Sequence, residues 1–354
     1  MRIVVCWTDL SGYAAACFRA LAARKDVDLL AVLYGPRKEL DQGFTADLLG
    51  GLNVRLLGVE ERHDKELVRS IVAAHKPQVV VVPGWLHPPY KRLASLGEFA
   101  DTRFVMCMDN PWKNTIRQRL GRFKVGGYIK RMNAILVAGE RAWQFARRLG
   151  APESKIYRGV YGFDLPAFKD VYERRLALGP WPRRFLFMGR YVPVKGLGYL
   201  LEAYRKYRSL VSDPWPFTFC GQGPLQKEIA AEPGVEDRGF IQPSDQSEVM
   251  ARHGVFVLSS TYEPWGVALA EAMASGLPAI CTEAVGAGVD LVRACYNGLT
   301  VPTHDVAGLT DGLKWMHDHY DRLPEMGRHA REYGSAHSAE LWAERLERMI
   351  QKIT

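Results

Sequence analysis

Apolar residues along this chain gather in short continuous runs, separated by longer stretches in which they recur at helical spacing. In the first half the runs are "RIVVCW", "DLLAVLYG", "NVRLLGV", "PQVVVVPG", "TRFVMCMD" and "NAILVAG", with amphipathic stretches near 12–24 and 60–75 between them. A continuous apolar run bounded by turn residues suits a strand buried on both faces, and strands alternating with helices suit a parallel sheet. A second series repeats the scheme: "WPRRFLFMGR", a helix near 197–210, "PFTFCGQG", a helix from about 224, "RGFI", "GVFVLSS", "PAICTE" and "GLTVP". The pattern therefore predicts an α/β chain of two doubly wound domains.

Between the two series lies "RGVYGFDLPAFKDVYERRLALGPWPRR", whose Gly, Pro and aromatic content suits a connection that bends. The expected division is an N-terminal domain over 1–165, a linker over 166–182, a second domain over 183–335 and a terminal helix over 336–354. In that last segment Leu341, Trp342, Leu346 and Ile350 stand at near-helical spacing, so it should pack on a domain.

Composition changes this picture little. At 354 residues, 47% hydrophobic and 24% charged, the chain can build two ordinary cores without staples. Asp9 interrupts the first apolar run, which reads as a strand and helix instead of a signal peptide. No apolar stretch reaches the roughly 18 residues of a spanning helix. Six scattered cysteines include no CxxC pair, which argues against a zinc site or redox dithiol and suits a reducing cytoplasm.

Charge is more informative, because the formal +8 is uneven. Between Pro111 and Gly150 ten Lys or Arg stand against one acid, Glu140, a density that invites an anionic partner. Aromatics interleave there (Trp112, Phe123, Tyr128, Trp143), as they do in nucleic-acid grooves and on surfaces that rest on anionic lipid. Membrane surface or acidic glycan is the preferred partner, and nucleic acid is not expected. The expected location is cytoplasmic, with peripheral contact at the inner face of a membrane.

Ligands of doubly wound sheets collect beyond the carboxyl ends of the strands, so chemistry is sought there. After "RFLFMG" come Arg190 and then Lys195 followed by Gly196; they read either as solvated surface cations or as a pair that neutralises a diphosphate. After "FTFC" comes "GQGPL", a Gly-x-Gly turn that lacks the third glycine of a dinucleotide fingerprint and by itself reads better as a plain tight turn. In "STYEPWGVALAEAMASGLPAI", Pro264 keeps Glu263 out of helical backbone while Glu271 falls inside the following helix. The amides of Gly266, Val267 and Ala268 would form that helix's N-terminus, which attracts an anion. Taken singly, Glu263 suits a helix start and Glu271 a solvated helix face. Taken together, two carboxylates beside an anion-binding amide cluster suit a ligand that carries both hydroxyls and phosphates, as a nucleotide sugar does.

The ordered set "GRYVPVKG", "CGQGPL", "STYEPWGVALAEAMASGLPAI" and "YNGLTVP" resembles the C-terminal half of a family 4 glycosyltransferase, well over 183–320 and more loosely in the first half. The resemblance implies the GT-B fold, two Rossmann-like doubly wound domains facing an interdomain cleft. It implies sugar transfer from a nucleotide-sugar donor to a glycan, lipid-linked or small-molecule acceptor, with retention of configuration and without a cofactor or bound metal. Arg190 and Lys195 would grip the donor diphosphate, Glu263 would hold hydroxyls of the transferred sugar, and Glu271 would bind the ribose. The backbone at Trp265, Gly266 and Val267 would lie beside sugar and phosphate; Gly189, Gly221 and Gly223 would line the donor pocket. Ser11 and Gly12 in "DLSGY" resemble the glycine loop of the acceptor domain.

One departure stands in the first half. Many members carry a His-Asp pair after a middle strand, whereas "VMCMDNPW" has Met108 where the His would be and keeps Asp109. Asp109 reads as an orienter of the acceptor hydroxyl or as the cap of a helix beginning near Pro111. His87, in "GWLHPPY", follows a strand and reads as a second candidate for that acceptor-side role or as an exposed loop residue. "DVD" at 26–28 reads as a solvated turn, and the two histidines of "HDH" at 317–319 would not share a helical face. Other classes remain: a GT-B nucleotide-sugar epimerase, which needs first-domain acids and histidines that the sequence does not single out, and a dehydrogenase, against which the missing G-x-G-x-x-G in "CWTDLSGY" weighs.

Overall fold

A computed structural model describes residues 1–35 and 46–354. The chain divides into two compact units, Met1–Asp164 with His337–Thr354, and Leu165–Ala336.

Among its described residues the first unit carries seven strands, β1 (Arg2–Trp7), β2 (Asp28–Tyr34), β3 (Val54–Leu57), β4 (Val79–Pro83), β5 (Arg103–Met108), β6 (Ala134–Val137) and β7 (Ile156–Arg158). Its helices are α1 (Gly12–Ala22), α2 (Lys65–Ala74), α3 (Pro88–Leu93), α4 (Ile116–Arg131) and α5 (Glu140–Arg148). All strands pair in parallel, in the order β3-β2-β1-β4-β5-β6-β7. The "VVVV" of β4 lies at the centre and is buried throughout, as a strand covered on both faces must be. β7 escaped the hydrophobic pattern because an edge strand of three half-buried or exposed residues has no apolar run to show.

The second unit begins with α6 (Val171–Ala177) and β8 (Phe185–Met188), then α7 (Leu197–Leu210), β9 (Phe217–Cys220), α8 (Gln226–Ala230) and β10 (Val235–Asp237). It continues through α9 (Gln246–Ala251), β11 (Val255–Leu258), α10 (Val267–Ala274), β12 (Ala279–Thr282), α11 (Gly286–Leu291), β13 (Gly298–Val301), α12 (Val306–Asp318) and α13 (Leu323–Gly334). The parallel order is β10-β9-β8-β11-β12-β13, which repeats the doubly wound winding of the first unit. The third run of this half was expected at "RGFI"; the strand instead precedes it, because Val235–Asp237 pairs with Phe217–Phe219 as a polar edge and Gly239, at φ +63°, turns the chain away.

Two boundaries differ from the composition-based division. Residues 166–182 are not a free connection but part of the second unit. From α6 the fully buried Arg175 donates to the carbonyls of Ser275 (3.0 Å), Gly276 (2.9 Å) and Met250 (2.8 Å), and its guanidinium stands 4.9 Å from the Trp181 ring. Burial pulls its pKa down to about 9, so the three carbonyls are what keep the cation tolerable there. Arg175→Met should cost about 3 kcal/mol, because three buried carbonyls lose a charged donor; urea unfolding followed by circular dichroism measures it.

The terminal helix α14 (Ala339–Ile353) belongs to the first unit, against α1. Trp342 donates from Nε1 to the Val160 carbonyl at 2.9 Å and meets Phe18 with ring centroids 6.2 Å apart. Gly162 permits this approach: a Cβ there would press on Ser338, Trp342 and Cys17 together. Among the described residues no helix is long and apolar enough to cross a membrane.

Candidate functional site

In the second unit the winding reverses between β8 and β11, so the loops leaving these two strands open side by side. Both carry residues the sequence singled out. The β8 loop turns at Gly189 (φ +155°) and is tied to the β9 loop by backbone: Gly189 donates to Cys220 (2.9 Å), Tyr191 to Gln222 (2.8 Å) and Leu225 to Tyr191 (3.2 Å). A Cβ on Gly221 would overlap the Gly189 carbonyl, and one on Gly223 would come within 2.5 Å of the Tyr191 carbonyl oxygen. The Gly-x-Gly of this loop thus has a packing cause that the sequence did not disclose: two backbones touch where any side chain would intrude.

Arg190 leaves this loop exposed and without an acidic partner among the described residues. Lys195 ends the 3-10 turn Pro193–Lys195, and Gly196, at φ +67°, redirects the chain into α7. Residue 196 must be glycine for space as well, because the Ser259 carbonyl occupies the place of a Cβ. Here the β8 and β11 loops are bonded: Ser259 Oγ donates to the Lys195 carbonyl (2.9 Å), and the Thr261 amide (2.9 Å) and hydroxyl (3.2 Å) donate to that of Val194. Lys195 Nζ forms an ion pair with Glu263 Oε2, each side chain only 15% exposed, and Ser260 Oγ donates to the same oxygen at 3.3 Å.

Beyond Glu263 the loop is strapped to the start of α11, with Gly286 donating to the Glu263 carbonyl (3.1 Å) and Ala287 to that of Trp265 (2.7 Å). The Trp265 side chain is buried, so this position offers backbone. Gly266, at φ +102° and ψ +66°, is the N-cap of α10, and no side chain caps that helix. Its first amides therefore point out of the helix with no intrahelical acceptor, beside the Lys195–Glu263 pair. Val267 is the first helical residue, and Glu271 follows one turn later. The Glu271 carboxyl is half-buried, has no hydrogen bond or ion pair among the described residues, and is pushed up to about 7 by burial. It is not the solvated helix face that its type alone suggests.

In the first unit the reversal lies between β1 and β4. Ser11 caps α1, its Oγ accepting from the Ala14 amide at 3.4 Å, and Gly12 is the first residue of that helix. His87, after β4, is half-buried and not a plainly exposed loop residue: its Nδ1 lies 3.4 Å from the Tyr34 hydroxyl, and burial lowers its pKa. Asp109 follows β5 and does not cap a helix. α4 starts only at Ile116 and is capped by Thr115, whose hydroxyl accepts from the Gln118 amide at 3.2 Å. The Asp109 carboxylate instead accepts from the Tyr161 hydroxyl and from Asn110 Nδ2, both at 2.8 Å. Tyr161, 52 residues away, could not be paired with Asp109 from spacing; burial and the neighbouring carboxylate push its phenol well up.

The histidines of "HDH" part company, as their spacing implied. His317 bonds the Tyr207 hydroxyl (2.8 Å) and stacks on Trp215, while His319 stacks on Trp315. Asp26 sits in a turn at φ +69°.

The family described as glycosyl transferases group 1 matches residues 169–333. Residues 169–333 are thus similar to a group 1 glycosyltransferase domain. Its match begins inside the stretch whose composition suggested a linker, in keeping with α6 being part of the second unit. Every donor-side candidate from Gly189 to Glu271 falls within the domain, whereas Gly12 and Asp109 lie outside it.

Among curated relatives, the D-rhamnosyltransferase WbpZ of Pseudomonas aeruginosa is 32% identical over 178 residues, 48% of this chain and 44% of that protein. A D-inositol 3-phosphate glycosyltransferase of Nocardia farcinica is 30% identical over 228 residues, 57% of this chain and 49% of its own length. The chain thus spans about half the length of the curated relatives it matches. Among solved structures, Anabaena HepE in complex with UDP superposes with a TM-score of 0.78 at 17% identity, covering 99% of this chain and 100% of that one. The chain thus has the GT-B fold, with two Rossmann-like units.

Proposed function

We propose that this chain is a retaining glycosyltransferase that moves a sugar from a nucleotide-sugar donor to a glycan, lipid-linked or small-molecule acceptor. The observation that carries the reading is the uncapped N-terminus of α10 with the Lys195–Glu263 pair before it and the partnerless Glu271 one turn inside it. In this reading Arg190, Lys195 and the amides of Gly266 and Val267 hold the diphosphate. As the bond between sugar and diphosphate breaks, negative charge grows on the leaving oxygen, and these groups stabilise it without a metal. Glu263 uses Oε2 for Lys195 and Ser260, which leaves Oε1 to accept from a sugar hydroxyl, and Glu271 accepts from the ribose. Gly189, Gly221 and Gly223 shape the pocket by bringing backbone close. On the acceptor side Asp109, held by Tyr161 and Asn110, orients the attacking hydroxyl, with Gly12 opening the β1 loop. A cytoplasmic enzyme that meets its acceptor at a membrane face accounts for the basic run over 113–148.

Thermal unfolding with UDP, GDP, ADP and their sugar conjugates tests the donor site, and UDP is the first choice because HepE was solved with it. A ligand at 100 times its dissociation constant adds about 2.7 kcal/mol, which is read as a clear rise in Tm. A shift with one nucleotide family names the donor class. No shift with any of them removes the proposed donor role.

A further inference from the structure

Helix α4 has two apolar faces, and the fold uses one. Val125, Tyr128 and Ile129 are buried against the first unit, whereas Ile116, Leu120 and Phe123 are 75%, 51% and 82% exposed. At about 100° per residue, positions 116, 120 and 123 fall within about 60° of one another, opposite Val125. Arg117, Lys124 and Arg131 line one side of this stripe and Arg119 and Lys130 the other, all exposed. The helix contains no acid, and among the described residues none of Arg117, Arg122, Lys124, Lys130 and Arg131 is paired with one.

A helix that only faced water would carry polar residues along its outermost stripe. A protein partner would accept the apolar stripe, but the cores of protein interfaces are depleted in lysine and charge, and here cations border the stripe on both sides. Nucleic acid or an acidic glycan would accept the cations but leaves Ile116 and Leu120 in water. An apolar centre flanked by long cationic side chains matches a bilayer surface: the centre enters the acyl boundary while Lys and Arg extend to lipid phosphates. The neighbouring surface continues the theme, with Arg148 5.0 Å over the Trp112 ring and Trp143 between Arg147 (4.9 Å) and Arg158 (5.4 Å).

We propose that α4 is an interfacial helix that docks the chain on an anionic lipid bilayer, inserting Ile116, Leu120 and Phe123 between cations that bind lipid phosphates. This goes beyond the charge of the 113–148 run by assigning the inserting side chains. It rests on the first unit alone, so it stands or falls independently of the donor site.

The experiment is sedimentation with vesicles of phosphatidylcholine alone and of phosphatidylcholine mixed with phosphatidylglycerol, at low and high salt. The chain should bind the anionic vesicles and release them as salt rises. Arg117→Gln and Lys124→Gln should each weaken binding about fivefold. Phe123→Ser should weaken it roughly tenfold or more, an effect that salt does not abolish, because it removes insertion and leaves the charge intact. Since all three side chains are exposed, unchanged circular dichroism melting checks that the variants fold. Equal binding to both vesicle types overturns the proposal. So does a Phe123→Ser variant that binds like the parent while the charge variants do not, particularly if heparin or duplex DNA competes, because that pattern marks a polyanion surface without insertion.

Discussion

Lys195→Ala should lower the rate of sugar transfer about 100- to 1000-fold, and Arg190→Ala by a similar factor, measured as kcat with the donor that raises Tm. In the proposed site both losses remove a fixed positive charge from the place where the leaving diphosphate becomes more anionic, so they should fall on kcat and not only on KM. The two variants differ in what they leave behind. Arg190 is exposed, so its removal should leave stability within about 0.5 kcal/mol. Lys195 faces Glu263, and both are 15% exposed, so Lys195→Ala also strands a carboxylate in a poorly solvated loop. Lys195→Ala should therefore lower Tm as well as kcat, and adding Glu263→Gln should return part of the Tm while leaving transfer slow. Full turnover in either single variant would refute the assignment of these cations.

Glu271→Gln should weaken nucleotide binding about 10- to 100-fold while making the ligand-free protein more stable at neutral and higher pH. The opposite signs have one cause. In the ligand-free protein the carboxyl is half-buried without a partner, and its pKa stands near 7 against 4.5 for the unperturbed acid. The folded state therefore holds its proton more tightly than the unfolded state, so wild-type stability is lost as pH rises from about 4.5 to 7. A shift of this size corresponds to about 3 kcal/mol. Glutamine carries no such cost, so the variant's advantage in denaturant unfolding should be full at pH 8 and shrink towards zero below pH 4.5. In the proposed site a ribose hydroxyl donates to the ionised form, so wild-type affinity should rise between pH 6 and 8 with proton release, and in Glu271→Gln that dependence should vanish. Isothermal titration calorimetry in two buffers of different ionisation enthalpy reads both effects. A nucleotide affinity unchanged by the substitution would take Glu271 out of the site.

Much of this arrangement is legible in the residue order, because it depends on local physics. Buried parallel strands must be apolar on both faces, and so "RIVVCW" and "GVFVLSS" announce β1 and β11. Ligand-facing residues of a doubly wound sheet must follow strands, so Arg190, Lys195, Glu263 and Gly266 stand out once the strands are marked. A proline after Glu263 and a helix-forming run after Gly266 are enough to separate the loop carboxylate from the helical one.

Other features depend on which elements meet, and only the tertiary structure decides that. The ion pair of Lys195 with Glu263 spans 68 residues, and the bond from Tyr161 to Asp109 spans 52; no periodicity connects such positions. Gly221 reads as a turn residue until the Gly189 carbonyl is seen against it. α6 looked like a linker because its Gly and Pro neighbours dominate the local composition, yet the carbonyls of residues 250, 275 and 276 take up Arg175 and draw the segment into the second unit. α14 follows the second unit in the chain and packs on the first, through Trp342 and the space left by Gly162. The sequence by itself therefore determined the two α/β halves and the residue types at their strand ends, since these follow from burial and backbone preference within a few residues. The tertiary structure decided the partners of those residues and the half to which each connecting segment belongs, since contact energy depends on spatial neighbours that chain order does not specify.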